Sequence, residues 1–169
     1  CLWLGTQNSG LIRYDPRQEA IQRYPVAGTI QSMAFIVGPS GTSNLWLGCD
    51  NGLTIFHPIT KSVITSNELT KQGIRISQIH SDPHKNLVWL GTNEGLLQFR
   101  SGATAIQTVL LPDSIVKLPV TIKSIVSSTP DTYWLGLSHT GVLQWNRKTN
   151  YFRLFTFPNE SVSATLSWI

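Results

Sequence analysis

Residues of the kinds that do chemistry are few in this 169-residue chain, and they are scattered. The tightest group is His80-Ser81-Asp82-Pro83-His84, in which two imidazoles flank a carboxylate at a spacing that superficially suits a metal. A closed zinc site takes four ligands, usually with cysteine among them, and the neighbouring sequence offers none, so the segment reads as a solvated turn and no metal or other cofactor is expected. His139 and an acid such as Glu94 would serve as the proton-transferring pair of a lyase or hydrolase if the fold made them converge. Cys1 and Cys49 are too few for a disulfide framework. No nucleophile–base pairing, phosphate loop or calcium loop is present, so no catalytic residue is assigned. What remains is a set of polar residues suited to holding a small ligand: Asn8, Asp50, Asn51, Asn93, Glu94, Ser138 and His139, with Asn67, Lys71, Arg75 and Lys117. Asp50, Asn51, Arg75, Asn93, Glu94, Lys117 and His139 are the candidate ligand-binding residues, set against the plain alternative that turns favour Asn, Asp and Ser anyway.

The element that positions these residues is a repeat. Leu2-Trp3-Leu4-Gly5-Thr6 returns as Leu45-Trp46-Leu47-Gly48-Cys49, Val88-Trp89-Leu90-Gly91-Thr92 and Tyr133-Trp134-Leu135-Gly136-Leu137, with the tryptophans 43, 43 and 45 residues apart. After each copy come a polar turn, a glycine (Gly10, Gly52, Gly95, Gly141) and an apolar run. A fixed period of this length marks a repeat architecture. The turn glycines suit the left-handed conformation of short hairpin loops. The glycine two residues after each tryptophan shares its face of the strand and lets a neighbour come close. Exact repetition assigns Trp3, Trp46, Trp89 and Trp134 to packing between repeats rather than to ligand stacking, and Trp145 takes the aromatic slot of Tyr14, Phe56 and Phe99.

Each period carries four short β signals. Strands over residues 20–24, 62–65, 105–110 and 151–155 follow the hairpins, and polar connections then lead to apolar strands at 30–36, 74–79, 120–126 and, by the same pattern, 162–169. Four strands in about 43 residues make a β-propeller blade. With strands lettered A to D from the inside, the expected order is BCD over residues 1–27, full blades at 28–71, 72–116 and 117–160, and a lone A at 161–169. The last A could close a four-blade ring with the first BCD, or the chain could be an arc of a seven- or eight-bladed ring. A start in mid-motif suggests a segment of a longer protein. The B–C turns and D–A connections of a propeller share one face, which places the candidate ligand residues together there, on loops that vary while the frame is fixed.

Composition agrees. The chain is 41% hydrophobic and only 13% charged, against about a quarter charged in an average soluble domain, as suits strands covered by other strands. The net charge of +4 comes from few acids rather than basic clusters, so no nucleic-acid partner is expected. No apolar run approaches the roughly 18 residues of a membrane-spanning helix.

The copies Leu2-Trp3-Leu4-Gly5-Thr6-Gln7-Asn8-Ser9-Gly10-Leu11-Ile12-Arg13-Tyr14-Asp15-Pro16 and Val88-Trp89-Leu90-Gly91-Thr92-Asn93-Glu94-Gly95-Leu96 resemble the repeat of two-component regulator propellers. That repeat runs Leu-Trp-Ile-Gly-Thr, a polar turn, Gly-Gly-Leu, then Arg-Tyr-Asp-Pro. The resemblance extends through all four periods. The second copy keeps only Pro58 of the ending, the third and fourth lose both residues, and the Gly-Gly pair is a single Gly throughout. The resemblance implies a periplasmic or extracellular sensor module of a bacterial signalling protein, placed before a membrane span and a cytoplasmic histidine kinase or diguanylate cyclase, both outside this sequence. The expected partner is a small molecule, a saccharide or another protein, with homodimerisation arising through the longer protein and membrane contact only through segments not in this sequence. A propeller enzyme and a purely structural interaction scaffold are the competing readings.

Overall fold

The structure, a computed structural model, describes residues 1–38, 41–82, 85–100, 106–112 and 120–156, apart from the side chains of residues 67 and 68. Lys117, His84, Trp168 and the expected strand at 162–169 lie outside the described residues. The chain is an all-β propeller array of antiparallel sheets, each a simple meander. The first sheet has three strands, β1 (Leu2–Gly5), β2 (Leu11–Asp15) and β3 (Ala20–Tyr24). The second has β4 (Ile30–Val37), β5 (Ser43–Cys49), β6 (Gly52–His57) and β7 (Ser62–Thr65). The third has β8 (Ile76–Asp82), β9 (Leu87–Thr92), β10 (Gly95–Arg100) and β11 (Ile106–Val109), and the fourth β12 (Ile122–Thr129), β13 (Thr132–Leu137), β14 (Gly141–Asn146) and β15 (Tyr151–Phe155). The tryptophan strands are β1, β5, β9 and β13, and each pairs directly with the strand after its polar turn. At the first of these turns Gly10 has φ +71°, and a Cβ there would stand 2.5 Å from the Tyr24 carbonyl oxygen, so no side chain fits.

Two features depart from the sequence reading. The inner strands β8 and β12 begin two residues later than expected and run further, and β4, β8 and β12 each shift register near their start, between Ile30 and Ser32, Ile76 and Gln78, and Ile122 and Ser124, with a second shift in β12 between Ser127 and Thr129. The extra residue of a bulge lets positions three apart face the same side. That is why Ile76 and Ile79 are both buried, and likewise Ile122 and Ile125. The connection at 66–75 also holds a short helix, α1 (Asn67–Lys71), where a plain loop was expected. It forms because Leu69, 2% exposed, drops into the core beneath it while the Thr70 amide donates to the Ser66 carbonyl at 3.2 Å.

Among the described residues the core consists of three seams, one between each pair of successive sheets. In each seam a tryptophan meets the third-strand aromatic of the next sheet: Trp3 on Phe56 at 5.2 Å between ring centres, Trp46 on Phe99 at 4.8 Å, and Trp89 on Trp145 at 5.3 Å. Such aromatic pairs add about 0.5–1.5 kcal/mol beyond the area they bury. The glycine two residues on is fitted to the same seam. A Cβ at Gly5 would lie 2.5 Å from the Ile30 methyl, at Gly48 2.6 Å from that of Ile76, and at Gly91 3.0 Å from both the methyl and the carbonyl oxygen of Ile122. The neighbour that needs the space is thus the isoleucine opening the next inner strand. Trp134 has no such partner among the described residues; it packs on Phe155 of its own sheet at 5.5 Å and donates to Ser128 Oγ at 3.0 Å.

Gly91→Val overpacks the third seam. It is expected to destabilise the protein by about 1–3 kcal/mol with an unchanged denaturant slope, read from the urea unfolding midpoint.

Candidate functional site

At the loop end of the array each inner strand is clasped to the end of its tryptophan strand. The Asp50 amide donates to the Thr29 carbonyl at 3.1 Å, and the Thr29 amide donates to Asp50 Oδ1 at 2.8 Å. The third sheet repeats this, with the Asn93 amide on the Arg75 carbonyl at 3.2 Å and the Arg75 amide on Asn93 Oδ1 at 2.7 Å. In the fourth only the backbone half is present, from the Ser138 amide to the Thr121 carbonyl at 2.9 Å. Thr92 shapes its turn by donating through Oγ1 to the Gly95 carbonyl at 2.8 Å and accepting from the Glu94 amide at 3.1 Å; Thr6 does the same with Gly10 and Ser9. Cys49, which fills this slot in the second sheet, is buried, and its thiol is pushed up to about 11 chiefly by that burial.

These contacts show where the candidate ligand residues stand. Asp50 and Asn93 have a side-chain oxygen engaged by backbone, and Asn93 Nδ2 also donates to Glu94 Oε1 at 3.2 Å. Asn51 accepts the Thr70 hydroxyl on its carbonyl at 2.9 Å, while its Oδ1 is buried without a hydrogen-bond partner. Arg75 and Glu94 are exposed, and His139 is exposed at φ +66° in the left-handed region that His and Asn tolerate better than most residues. They lie on the turns and connections of three successive sheets.

A cleft of about 290 Å³ opens on the same end beside the first sheet and is lined by Gln7, Asn8, Val26, Gly28 and Thr29. Its walls are neutral amide, hydroxyl and backbone groups with one valine. Thr29 Oγ1 donates to the Gln7 carbonyl at 3.3 Å across it, and the Ile30 amide donates to the Thr6 carbonyl at 3.2 Å below. Asn51 Oδ1 lies 2.6 Å from where a Cβ on Gly28 would stand, so only glycine fits that edge. Of the polar turn residues singled out from sequence, Asn8 alone lines this cleft; Gln7, Gly28 and Thr29 were missed. The available signal was connection length. Five residues join β3 to β4, whereas ten join β7 to β8, and those include α1, which covers the equivalent place: Thr70 Oγ1 and Leu69 Cβ stand 3.1 and 3.5 Å from a Cβ built on Gly52.

At the opposite end, the residues of the His80–His84 segment that the structure describes brace two sheets. Tyr133 Oη donates to Asp82 Oδ2 at 2.7 Å, and Lys85 Nζ donates to Asp131 Oδ1 at 2.9 Å while lying 4.0 Å from Asp82. Burial, reinforced by the Asp82 carboxylate, pushes the Tyr133 hydroxyl up to about 12. The Lys85 hydrogen bond holds the Asp131 carboxyl below its usual range. His80 stands edge-on to Tyr133, and burial lowers its pKa against the opposing pull of Asp82. Among the described residues no three His, Cys, Asp or Glu side chains converge as a metal site would require.

No protein-family profile matches the sequence, and no curated protein does. Solved structures do share the fold. The extracellular domain of a chain described as a hybrid two-component system from B. thetaiotaomicron superposes with a TM-score of 0.71 at 17% identity, over 92% of this chain and 20% of that one. A second such domain from the same organism gives 0.66 at 16% identity, over 89% and 21%. Saccharomyces cerevisiae Sqt1 gives 0.61 at 17% identity, over 89% and 47%. This chain thus spans about a fifth of the two bacterial domains, and at these identities the likeness establishes the propeller fold alone.

The lowered pKa of His80 has a definite consequence. The unfolded chain takes up this proton near the ordinary pH of about 6.5, the folded chain only at lower pH. Stability from His80 is therefore complete above that value and is lost as pH falls through it towards the folded pKa. Urea midpoints measured from pH 8 to pH 5 are expected to fall more steeply for the natural chain than for His80→Gln.

Proposed function

We propose that this chain is a non-catalytic, ligand-binding sensor propeller from the periplasmic or extracellular part of a bacterial signalling protein. Its signal passes to a kinase or cyclase outside this sequence. The observation that carries this reading is a coincidence of two kinds: the Trp-Leu-Gly-Thr repeat resembles that of two-component regulator propellers, and the fold is that of domains described as extracellular parts of hybrid two-component systems. The ligand is a small molecule or saccharide held at the loop end, where the cleft beside Asn8 and Thr29 supplies neutral donors and acceptors, and the varied turns of the same end carry Asp50, Asn51, Asn93, Glu94, Arg75 and His139. The enzyme reading has no observation in its favour: Glu94 is hydrogen-bonded to Asn93, and His139 stands on the turn of the next sheet.

A thermal-shift screen against monosaccharides, oligosaccharides and amino acids tests this. A ligand at a hundredfold its dissociation constant stabilises the fold by about 2.7 kcal/mol. Asn8→Ala is expected to reduce that shift at fixed ligand concentration. A flat response across the whole panel contradicts the ligand-binding reading.

A further inference from the structure

The second and third seams, both internal to the array, differ in chemistry at three matched positions. In the second seam Ala34 pairs across the strands with Trp46, Ile36 lies two residues on along the same face, and both pack with Val88, the residue before the next tryptophan. In the third seam His80 pairs with Trp89, Asp82 lies two residues on, and the residue before the next tryptophan is Tyr133. An imidazole, a carboxylate and a phenol thus replace an apolar trio.

These three groups are joined to one another. The Tyr133 hydroxyl donates to Asp82 Oδ2 at 2.7 Å, and the half-buried His80 ring stands edge-on to the Tyr133 ring at 6.2 Å between centres. Lys85, in the connection after β8, donates to Asp131 Oδ1 in the turn after β12 at 2.9 Å and lies 4.0 Å from Asp82. Arg147, just beyond β14, holds its guanidinium 5.9 Å from the centre of the Trp89 ring, and its amide donates to the Asp131 carbonyl at 2.7 Å. Lys148 also acts on Asp131. Among the described residues, three cations therefore surround two carboxylates, and a protonated His80 adds a fourth. Asp131 is held by Lys85, which leaves Asp82 as the carboxylate that answers a charge on His80.

Burial opposes that charge while the seam is closed, so the imidazole takes a proton more readily where water has entered. Polar networks of this kind hold firmly when every member is satisfied and poorly when one is withdrawn. We propose that this end of the third seam is a proton-operated joint: protonation of His80 draws Asp82 from the Tyr133 hydroxyl and admits water beside Trp89, while the array stays folded. The second seam, apolar at the same positions, stays shut. The joint is independent of whether the loop end binds a ligand.

Trp89 supplies the reporter, because its Nε1 is buried without a hydrogen-bond partner and burial alone shields its proton from exchange. Exchange of that indole proton is followed by NMR on the full 169-residue chain, relative to free indole at the same pH. From pH 8 to pH 5 the relative rate is expected to rise by about tenfold or more, while protection of the backbone amides of β5 and β6 changes little. His80→Gln, whose amide takes up no proton in this range, is expected to abolish the rise. Asp82→Asn keeps an acceptor for Tyr133 but offers His80 no carboxylate; it is expected to do the same, and it serves if His80→Gln fails to fold. A natural chain with the same relative rate at both pH values overturns the proposal. So does a rise of equal size in His80→Gln, or a loss of protection spread evenly over all four sheets.

Discussion

Between each pair of sheets, a flat indole on one strand and a missing side chain two residues later leave a shaped gap. Into it go the ring of the next sheet's third strand and the isoleucine that opens its first. Everything else in the array follows from that fit. The period of the sequence is set by it, because each sheet must present the entering residues on one face and the receiving residues on the other. Burial of the inner strands depends on it too: Ile76 and Ile122 are fully buried because Gly48 and Gly91 give them room. Interiors packed to this density transmit a change of a single methyl group, so the glycines are as much part of the core as the tryptophans.

The two ends of the array use polar groups differently. At the end holding Tyr133, charges and hydroxyls bridge successive sheets, with Asp82 and Lys85 reaching from the third to Tyr133 and Asp131 of the fourth. At the loop end, polar side chains first complete the ladders within each sheet, as Asp50 and Asn93 do, and only what is left can face a ligand. The short connection after β3 changes that balance. No helix lies above the first turn, and a cleft remains beside it.

Much of this was legible in the sequence because repetition multiplies weak signals. Strands β3, β7 and β15 occupy the residues that alternation and turn chemistry marked, since edge strands between two turns have little freedom to move. Of the inner strands, β4 starts at the expected residue, while β8 and β12 start two residues late; the bulge in each shows in the three-residue spacing of Ile76 and Ile79, repeated at Ile122 and Ile125. Helix α1 was hidden in a polar run, where one leucine, Leu69, supplies the anchoring. The loop residues were harder to read, because an Asn or Asp that accepts a backbone amide looks in sequence like one that awaits a ligand. Asn93 accepts the Arg75 amide, whereas Asn8 lines the cleft.

The seam itself can be tested by a double-mutant cycle between its two sides. Gly91→Val and Ile122→Ala are measured singly and together by urea unfolding. The single substitutions overfill and hollow out the same space, so the pair is predicted to couple, with the double variant more stable than the sum of the two losses by about 0.5–3 kcal/mol. Strict additivity would mean that the glycine is not shaped by the isoleucine of the next sheet, and would contradict the seam as the basis of the fold.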